Sequence, residues 1–326
     1  MFDLRAVKDI RSELAKRVFE GKKLPDTLYH YTDATGLLGI LQDRKFRATH
    51  YKHFNDSKEV EFGDDLAVRL LHDRLNGHCD KRLSRIYQAC LGEKYGGHAS
   101  VIRTFDCDFY IASFCDEGDL LDQWRAYGDD GSGYAMGIDP KALRAKVEGV
   151  VLLPTDGIAF VPVEYDEERQ RAHLEFVLDR MTEAFQEQFD QVHDRDVEPF
   201  CGRAAQELVN ALLNLTVMYK HVAYKSEREW RVIKVKWGRE IEAVADDDAL
   251  TGVHFRVQSS RIVPYVNLDF SDRADETIVP LRNIVLGPKN NDEAAVMTLH
   301  MLLKLLGYSG NRRLENLITL STIPYQ

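Results

Sequence analysis

The chain has 326 residues, of which 44% are hydrophobic and 29% charged. These values sit near the averages of soluble globular proteins and exclude extended disorder, a collagen-like repeat and a coiled-coil rod. Lys and Arg number 43 against 53 Asp and Glu, a formal charge of −10, which excludes a generally basic nucleic-acid surface while leaving room for a local basic patch. No apolar run reaches the ~18–20 residues that cross a bilayer, and the charged N-terminal stretch lacks the apolar core of a signal peptide. The expectation is one cytoplasmic domain over 1–326 with no membrane partner. Cys79, Cys90, Cys107, Cys115 and Cys201 are odd in number and contain no CxxC pair, so reduced thiols are expected, with neither a disulfide framework nor a metal site.

In chain order, Leu4, Val7, Ile10, Leu14 and Val18 recur at steps of three and four, the period of an amphipathic helix, within an N-terminal helical segment 1–24. A strand is expected over 27–32. A helix follows over 34–42, capped by Asp33, with Leu37, Leu38, Ile40 and Leu41 as its apolar face. A second short strand covers 46–49. Helices are predicted over about 58–76 and 80–95, separated by Asn76-Gly77, and an alternating aromatic strand over 109–114. A short helix at 120–127 precedes the glycine-rich segment Gly128 to Gly133, which is expected to be a flexible turn. Strands follow at 134–138, 150–153 and 158–164.

From Asp166 to about Lys220 the pattern is helical and polar, broken at Glu198-Pro199; this reads as a helical insertion, 166–220, within the domain. Strands return at 229–235, 252–257, 262–266 and 284–286. An apolar-striped helix over 292–306 ends at Gly307, and a strand closes over 317–323. Short strands interrupted by helical runs, without regular βαβ alternation, give an α+β fold.

The chain holds no Walker loop, HExxH or GxSxG motif. Three segments carry candidate chemistry. On a strand, His30 and Thr32 of Leu28-Tyr-His-Tyr-Thr-Asp33 point to one face and Tyr29 and Tyr31 to the other. Such an imidazole and hydroxyl suit a ribose diol, or His30 is a satisfied strand-end histidine. The loop Thr49-His-Tyr-Lys-His-Phe-Asn-Asp56 crowds Tyr51 and Phe54, which could stack a flat ring or plug the core. In Tyr224-Lys-Ser-Glu-Arg-Glu-Trp-Arg231, extension from Glu227 onward would put Glu227, Glu229 and Arg231 on one face. Two carboxylates there raise one another's proton affinity unless a cation joins them, and Arg231 is placed to do so. The arrangement serves catalysis or a structural ion-pair ladder.

These segments also resemble a bacterial family, the domain of unknown function 2971, along nearly the whole chain. The resemblance rests on Leu28–Thr32 with Gly39-Ile-Leu41, Phe54-Asn-Asp56 with Glu59, Ser113-Phe-Cys115, Gln123-Trp-Arg-Ala-Tyr127, Gly133–Asp139, Lys225 with Glu227-Arg-Glu-Trp-Arg231, Ile284-Val-Leu-Gly-Pro288 and Ser321-Thr-Ile-Pro-Tyr325. The opening Tyr-His-Tyr-Thr strand and Gly-Ile-Leu helix are similar, over about a third of the chain, to ADP-ribosyltransferases of the His-Tyr-Glu type.

That second resemblance implies an ADP-ribosyltransferase-like split or mixed sheet with flanking helices, and NAD as substrate. It implies that His30, Glu227 and Glu229 carry catalysis, with His30, Tyr31, Thr32, Tyr51, Phe54, Asn55 and Arg231 around the nucleotide. The expected function is ADP-ribosyl transfer to a macromolecular acceptor or NAD hydrolysis, in a bacterial toxin or anti-phage effector. The alternative is a nucleotide- or protein-sensing module without catalysis, in a bacterial defence or stress system. For a nucleic-acid partner, 220–239 is the one candidate Lys/Arg stripe.

Overall fold

The computed structural model describes residues 5–54, 58–77, 80–91, 99–102, 107–145, 158–237, 252–258, 260–270, 279–308 and 317–325. In chain order they form α1 (Arg5–Phe19), β1 (Leu28–Thr32), α2 (Ala34–Asp43), β2 (Phe46–His50), α3 (Lys58–Asn76), α4 (Lys81–Leu91), β3 (Cys107–Cys115) and α5 (Leu121–Tyr127). Next come β4 (Tyr134–Ile138), α6 (Pro140–Ala145), β5 (Ile158–Pro162), α7 (Glu167–Phe189), α8 (Val197–Thr216) and β6 (Glu229–Trp237). The remainder is β7 (Val253–Gln258), β8 (Arg261–Leu268), β9 (Leu281–Leu286), α9 (Glu293–Leu305) and β10 (Ile318–Leu320).

Local chemistry sets the helix ends. Asp33, Asp166 and Asp292 each accept the backbone N–H three residues on, at 2.6, 3.0 and 2.8 Å, the N-cap arrangement that satisfies an otherwise unpaired donor. Gly307 follows α9 at φ 89°, where a side chain would be strained. Gly63 lets α3 cross α8 closely: a Cβ there would meet the Thr216 carbonyl oxygen at 2.5 Å.

The strands join in one mixed sheet, ordered β10-β9-β4-β1-β3-β2-β8-β7, with β6 also paired to β3 and β5 to β6. β9 and β10 run parallel. β6 lies along the whole of one edge of β3, from Cys107↔Trp237 to Cys115↔Glu229. The opposite edge is shared. β1 pairs there at Tyr29↔Cys115, and β2 at Thr49↔Ile111 and His50↔Tyr110. The sheet therefore forks at Ser113, where β1 and β2 part.

Alternation sorts the side chains of β3 and β6. Phe109, Ile111, Ile233 and Val235 meet the helical layer of α1, α3, α4, α7 and α8 in the largest core cluster. Tyr110, Ala112, Phe114, Trp230 and Val232 point the other way, toward α2 and α9, with Leu28 and Phe46. A small third cluster joins Tyr31, Cys115, Trp124, Ala135 and Val285. Burial of these apolar faces is the main favourable term in folding. Cys90, Cys115 and Cys201 are buried free thiols. Among the described residues no helix is long and apolar enough to cross a membrane.

Several expectations shift. Leu38 is 40% exposed, so the core face of α2 is Leu37, Ile40 and Leu41. The helical region breaks at 190–196, before α8, and Glu198-Pro199 lies inside the first turn of α8. Proline needs no N–H partner there, which is why it does not interrupt the helix. The closing strand is three residues, Ile318–Leu320. The strand expected at 150–153 lies outside the described residues. The segment 128–133 is pinned rather than loose: Gly133 N and Gly131 N donate to Gly128 O, and Lys289 N donates to Gly131 O. Asp129 and Asp130 both sit at φ 50° and Gly131 at φ 90°.

Candidate functional site

Four charged side chains meet where β6 begins. Glu229 opens the strand and Arg231 follows two positions later on the same face. Arg231 donates from Nε to Glu229 Oε1 at 2.8 Å and from Nη2 to Oε2 at 3.0 Å, a two-pronged fit of guanidinium to carboxylate. Its Nη1 donates to Val217 O at 2.7 Å. Lys220 Nζ approaches Glu229 Oε2 at 3.4 Å and is hydrogen-bonded to Glu227. Tyr165 Oη accepts from Glu229 N at 3.0 Å. Arg231 and Lys220 are each 1% exposed and Glu229 7%.

Burial on its own would raise the Glu229 pKa. The charges of Arg231 and Lys220, with hydrogen bonds from Arg231 and the Ser113 side chain, outweigh it and hold the carboxyl down at about 2. Glu229 is thus ionised and saturated with donors. Burial pushes the neighbouring Tyr165 hydroxyl well above its usual range, and the Glu229 charge adds to that.

Glu227 reaches the network by a different route from the one the sequence suggests. It ends a 3₁₀ turn, Val222–Glu227, and Arg228 follows in the left-handed region at φ 49°, so the extended segment starts at Glu229. Lys220 brings the two acids together. Its signal in the sequence was weak, because it closes a long helical stretch. Its position is set by a bridge between Glu164 and Tyr219 and by Gln170, whose Nε2 donates to the carbonyls of Glu164 and Lys220.

His30 does not join the acids. Tyr29 pairs with Cys115, and Cys115 with Glu229, so Tyr29 and Glu229 share a face and His30 emerges on the other. There its ring packs edge-on to Phe46 at 5.5 Å and against Phe114 at 5.6 Å. Its Nδ1–H donates to Ser113 O at 2.9 Å, at the point where β1 and β2 leave the edge of β3. Burial lowers its pKa, and the nearby Arg256 charge adds to this, while the Ser113 hydrogen bond opposes it. His30 and Glu229, which the second resemblance puts around one nucleotide, therefore stand on opposite faces of the sheet. The imidazole closes the fork in the sheet.

The other candidates divide similarly. Tyr31 stacks edge-on to Trp124 at 4.8 Å, and its hydroxyl donates to Glu117 O and accepts from Leu120 N, leaving it engaged in structure. Thr32 lies on the His30 face, with its hydroxyl under Gly36 of α2. Tyr51 is buried against Phe109, and Phe54 packs on the same core. Asn55 lies outside the described residues. In the candidate basic stripe, Lys220 and Arg231 are buried and Arg228 pairs with Asp116 at 2.6 Å.

A polar cavity of about 330 Å³ opens beside the network, lined by Lys22, Glu164, Tyr165, Arg169, Val222 and Lys225 among others. Tyr165 is its link to Glu229. Glu164 is held by Arg169 at 2.9 Å and Lys22 at 3.4 Å, whereas Lys225 has no ion-pair partner among the described residues. Across from this turn, α5 brings up Gln123, which is buried. Asp119 ties α5 to the 321–322 segment: it accepts from Trp124 Nε1 at 2.8 Å, Ser321 Oγ at 2.6 Å and Thr322 N at 2.7 Å.

No curated protein and no solved structure matches the chain. Residues 123–232, about a third of its length, match the model of a family described as a protein of unknown function (DUF2971). The matched stretch, which is similar to that family, runs from Gln123 on α5 through Lys225, Glu227, Glu229 and Arg231.

Proposed function

We propose that the protein is a nucleotide-sensing module that binds its ligand without cleaving it. The observation that carries this is the pairing of a saturated acid with an open cavity. Glu229, the carboxylate a sugar would need, has Arg231 and Lys220 on its oxygens, while Lys225, at the adjoining cavity, has no ion-pair partner among the described residues. The cavity carries Lys22, Arg169 and Lys225 beside Glu20, Glu164 and Asp166, and such a concave set of convergent polar groups suits a small molecule with charges of both signs, as NAD has. NAD and its ADP-ribose portion are the first ligands to test.

NAD cleavage is the second reading, and the position of Glu227 favours it. Its side chain is 15% exposed, at the outer end of the network, where a carboxylate could stabilise developing positive charge on a ribose.

The deciding experiment incubates purified protein with NAD and measures both binding, by calorimetry, and nicotinamide release. Wild type is compared with Lys225→Ala, Glu227→Gln, Glu229→Gln and His30→Ala. Saturable binding that weakens in Lys225→Ala, with background release from every variant, is expected. Release above background that disappears in Glu227→Gln would establish the cleavage reading instead. Absence of binding by NAD, ADP-ribose and AMP to folded wild type would end both.

A further inference from the structure

A second cationic site lies on the other wing of the fork. Thr49 of β2 pairs with Tyr265 of β8, and Tyr265 pairs with His254 of β7. Arg47 and Arg256 lie two positions from Thr49 and His254, so all five side chains share one face. The Arg47 and Arg256 guanidinium carbons are 5.3 and 5.9 Å from the Tyr265 ring centre.

The donors there outnumber the acceptors. Arg47 Nη2 donates to Asp43 at 2.7 Å. Arg256 Nη2 donates to Thr49 Oγ1 at 2.9 Å and Gln258 Oε1 at 3.0 Å. The Nε atoms of both arginines are buried without a hydrogen-bond partner. Asp33 is close enough to act on Arg256 through its charge, but among the described residues no carboxylate reaches Arg256 at ion-pair distance. A largely buried guanidinium beside a second one, without a counterion, is costly to keep.

The scaffold accommodates this pair specifically. Gly39 faces Arg47 from α2, and a Cβ there would stand 2.9 Å from Nη2 and 3.2 Å from Cζ. The bare helix backbone is what gives the Arg47 guanidinium its place. Burial and the Arg47 charge, in that order, lower the proton affinity of Arg256.

We propose that Arg47, Arg256 and Thr49 form a binding site for the phosphoryl group of a small-molecule ligand, with Tyr265 as its floor. Guanidinium forks match phosphate oxygens in geometry as well as charge, and a dianion answers two cations where a single carboxylate answers one.

The test titrates inorganic phosphate, pyrophosphate and AMP into the full-length protein by calorimetry at constant ionic strength. Wild type is compared with Arg47→Gln, Arg256→Gln, Arg256→Lys and Lys225→Ala, each checked for folding by circular dichroism and thermal melting. We expect saturable binding of at least one of the three, weakened about ten-fold or more in Arg256→Gln. Arg256→Lys keeps the charge and loses the fork, and is expected to weaken binding as well. Binding weakened by the arginine changes belongs to this site, and AMP binding weakened only by Lys225→Ala belongs to the cavity. Tighter binding of AMP than of phosphate identifies a nucleotide source, and the reverse a free phosphate. Binding that survives both arginine-to-glutamine changes, no binding by folded wild type, or binding of single-stranded RNA alone would overturn the proposal.

Discussion

Arg231 grips Glu229, two positions earlier on its own strand, through Nε at 2.8 Å and Nη2 at 3.0 Å. Pairs at this spacing share a face of a strand, but in most sheets that face has room for water. Here α8 leads into the segment 217–220, which supplies the Val217 carbonyl and the Lys220 ammonium, so two acids and two cations sit inside the protein as a set. Removing one member leaves an uncompensated buried charge.

Glu229→Gln is accordingly expected to destabilise the fold by about 3 kcal/mol or more, read as a fall in the midpoint of urea unfolding at pH 7. Glu229→Gln combined with Arg231→Met should recover part of that loss, because it removes the stranded cation. A double variant less stable than the sum of the two single changes would contradict this account.

The same carboxyl sets an acid limit. Its folded pKa, about 2, lies below its ordinary value of 4.5. The stability it contributes is therefore complete above pH 4.5 and is lost as the pH falls toward 2. Unfolding free energy should decline through that window in wild type and more shallowly in Glu229→Gln. Parallel profiles would show that the acid limit belongs to other groups.

For His30, the prediction concerns tautomer and titration. Its Nδ1 faces a carbonyl, which only accepts, so the neutral ring carries its proton on Nδ1. Burial lowers its pKa below 6.5, so its stabilising contribution is present above pH 6.5 and is lost as the pH falls through the lowered value. Nitrogen-15 NMR of the imidazole should show the Nδ1–H form at pH 7 and a midpoint below 6.5. An Nε2–H form would contradict the role assigned to it at the fork.

Gly63→Ala should cost about 1–3 kcal/mol, because the added carbon meets the Thr216 carbonyl oxygen at 2.5 Å and its Cα at 2.8 Å. Gly202→Ala on the neighbouring helix is the control: nothing lies within 4 Å of its added carbon. A neutral Gly63→Ala would mean that α3 can retreat from α8 without loss.

Asp119 predicts a local effect. It holds Ser321, Thr322 and Trp124 at once; burial would raise its pKa, and these hydrogen bonds bring it below the usual carboxylate range. Tyr325, in turn, donates to Asp130 at 2.6 Å. Asp119→Ala should speed amide exchange across 128–133 and 321–325 while leaving β6 protected. Uniform acceleration over the whole sheet would show a global loss instead.

Much of this architecture was legible in the sequence because its signals are local. Val7, Ile10, Leu14 and Val18 announce α1 by period, Asp33 announces the start of α2, Gly307 the end of α9, and Arg231 can be named as the partner of Glu229 from spacing alone. What could not be seen is set at long range. Nothing in Leu28-Tyr-His-Tyr-Thr tells that Tyr29, not His30, shares a face with Glu229, since that depends on a register passed through Cys115. Lys220 enters the acid pair through backbone pairing with Glu164, and Gly39 acquires its meaning from a guanidinium on another strand. The extension of β6 back to Glu227 failed for a local reason, the left-handed Arg228, which favours glycine or asparagine and so gave no warning.

The shared edge of β3 has a consequence for how such a chain can change over time. β4, β9 and β10 hang from β1, whereas β8 and β7 hang from β2, and the two groups meet at a common trunk. An insertion that slips the register of one branch need not disturb the other. Each branch can therefore acquire new surface chemistry on its own schedule, provided the trunk and the imidazole at its crotch are kept.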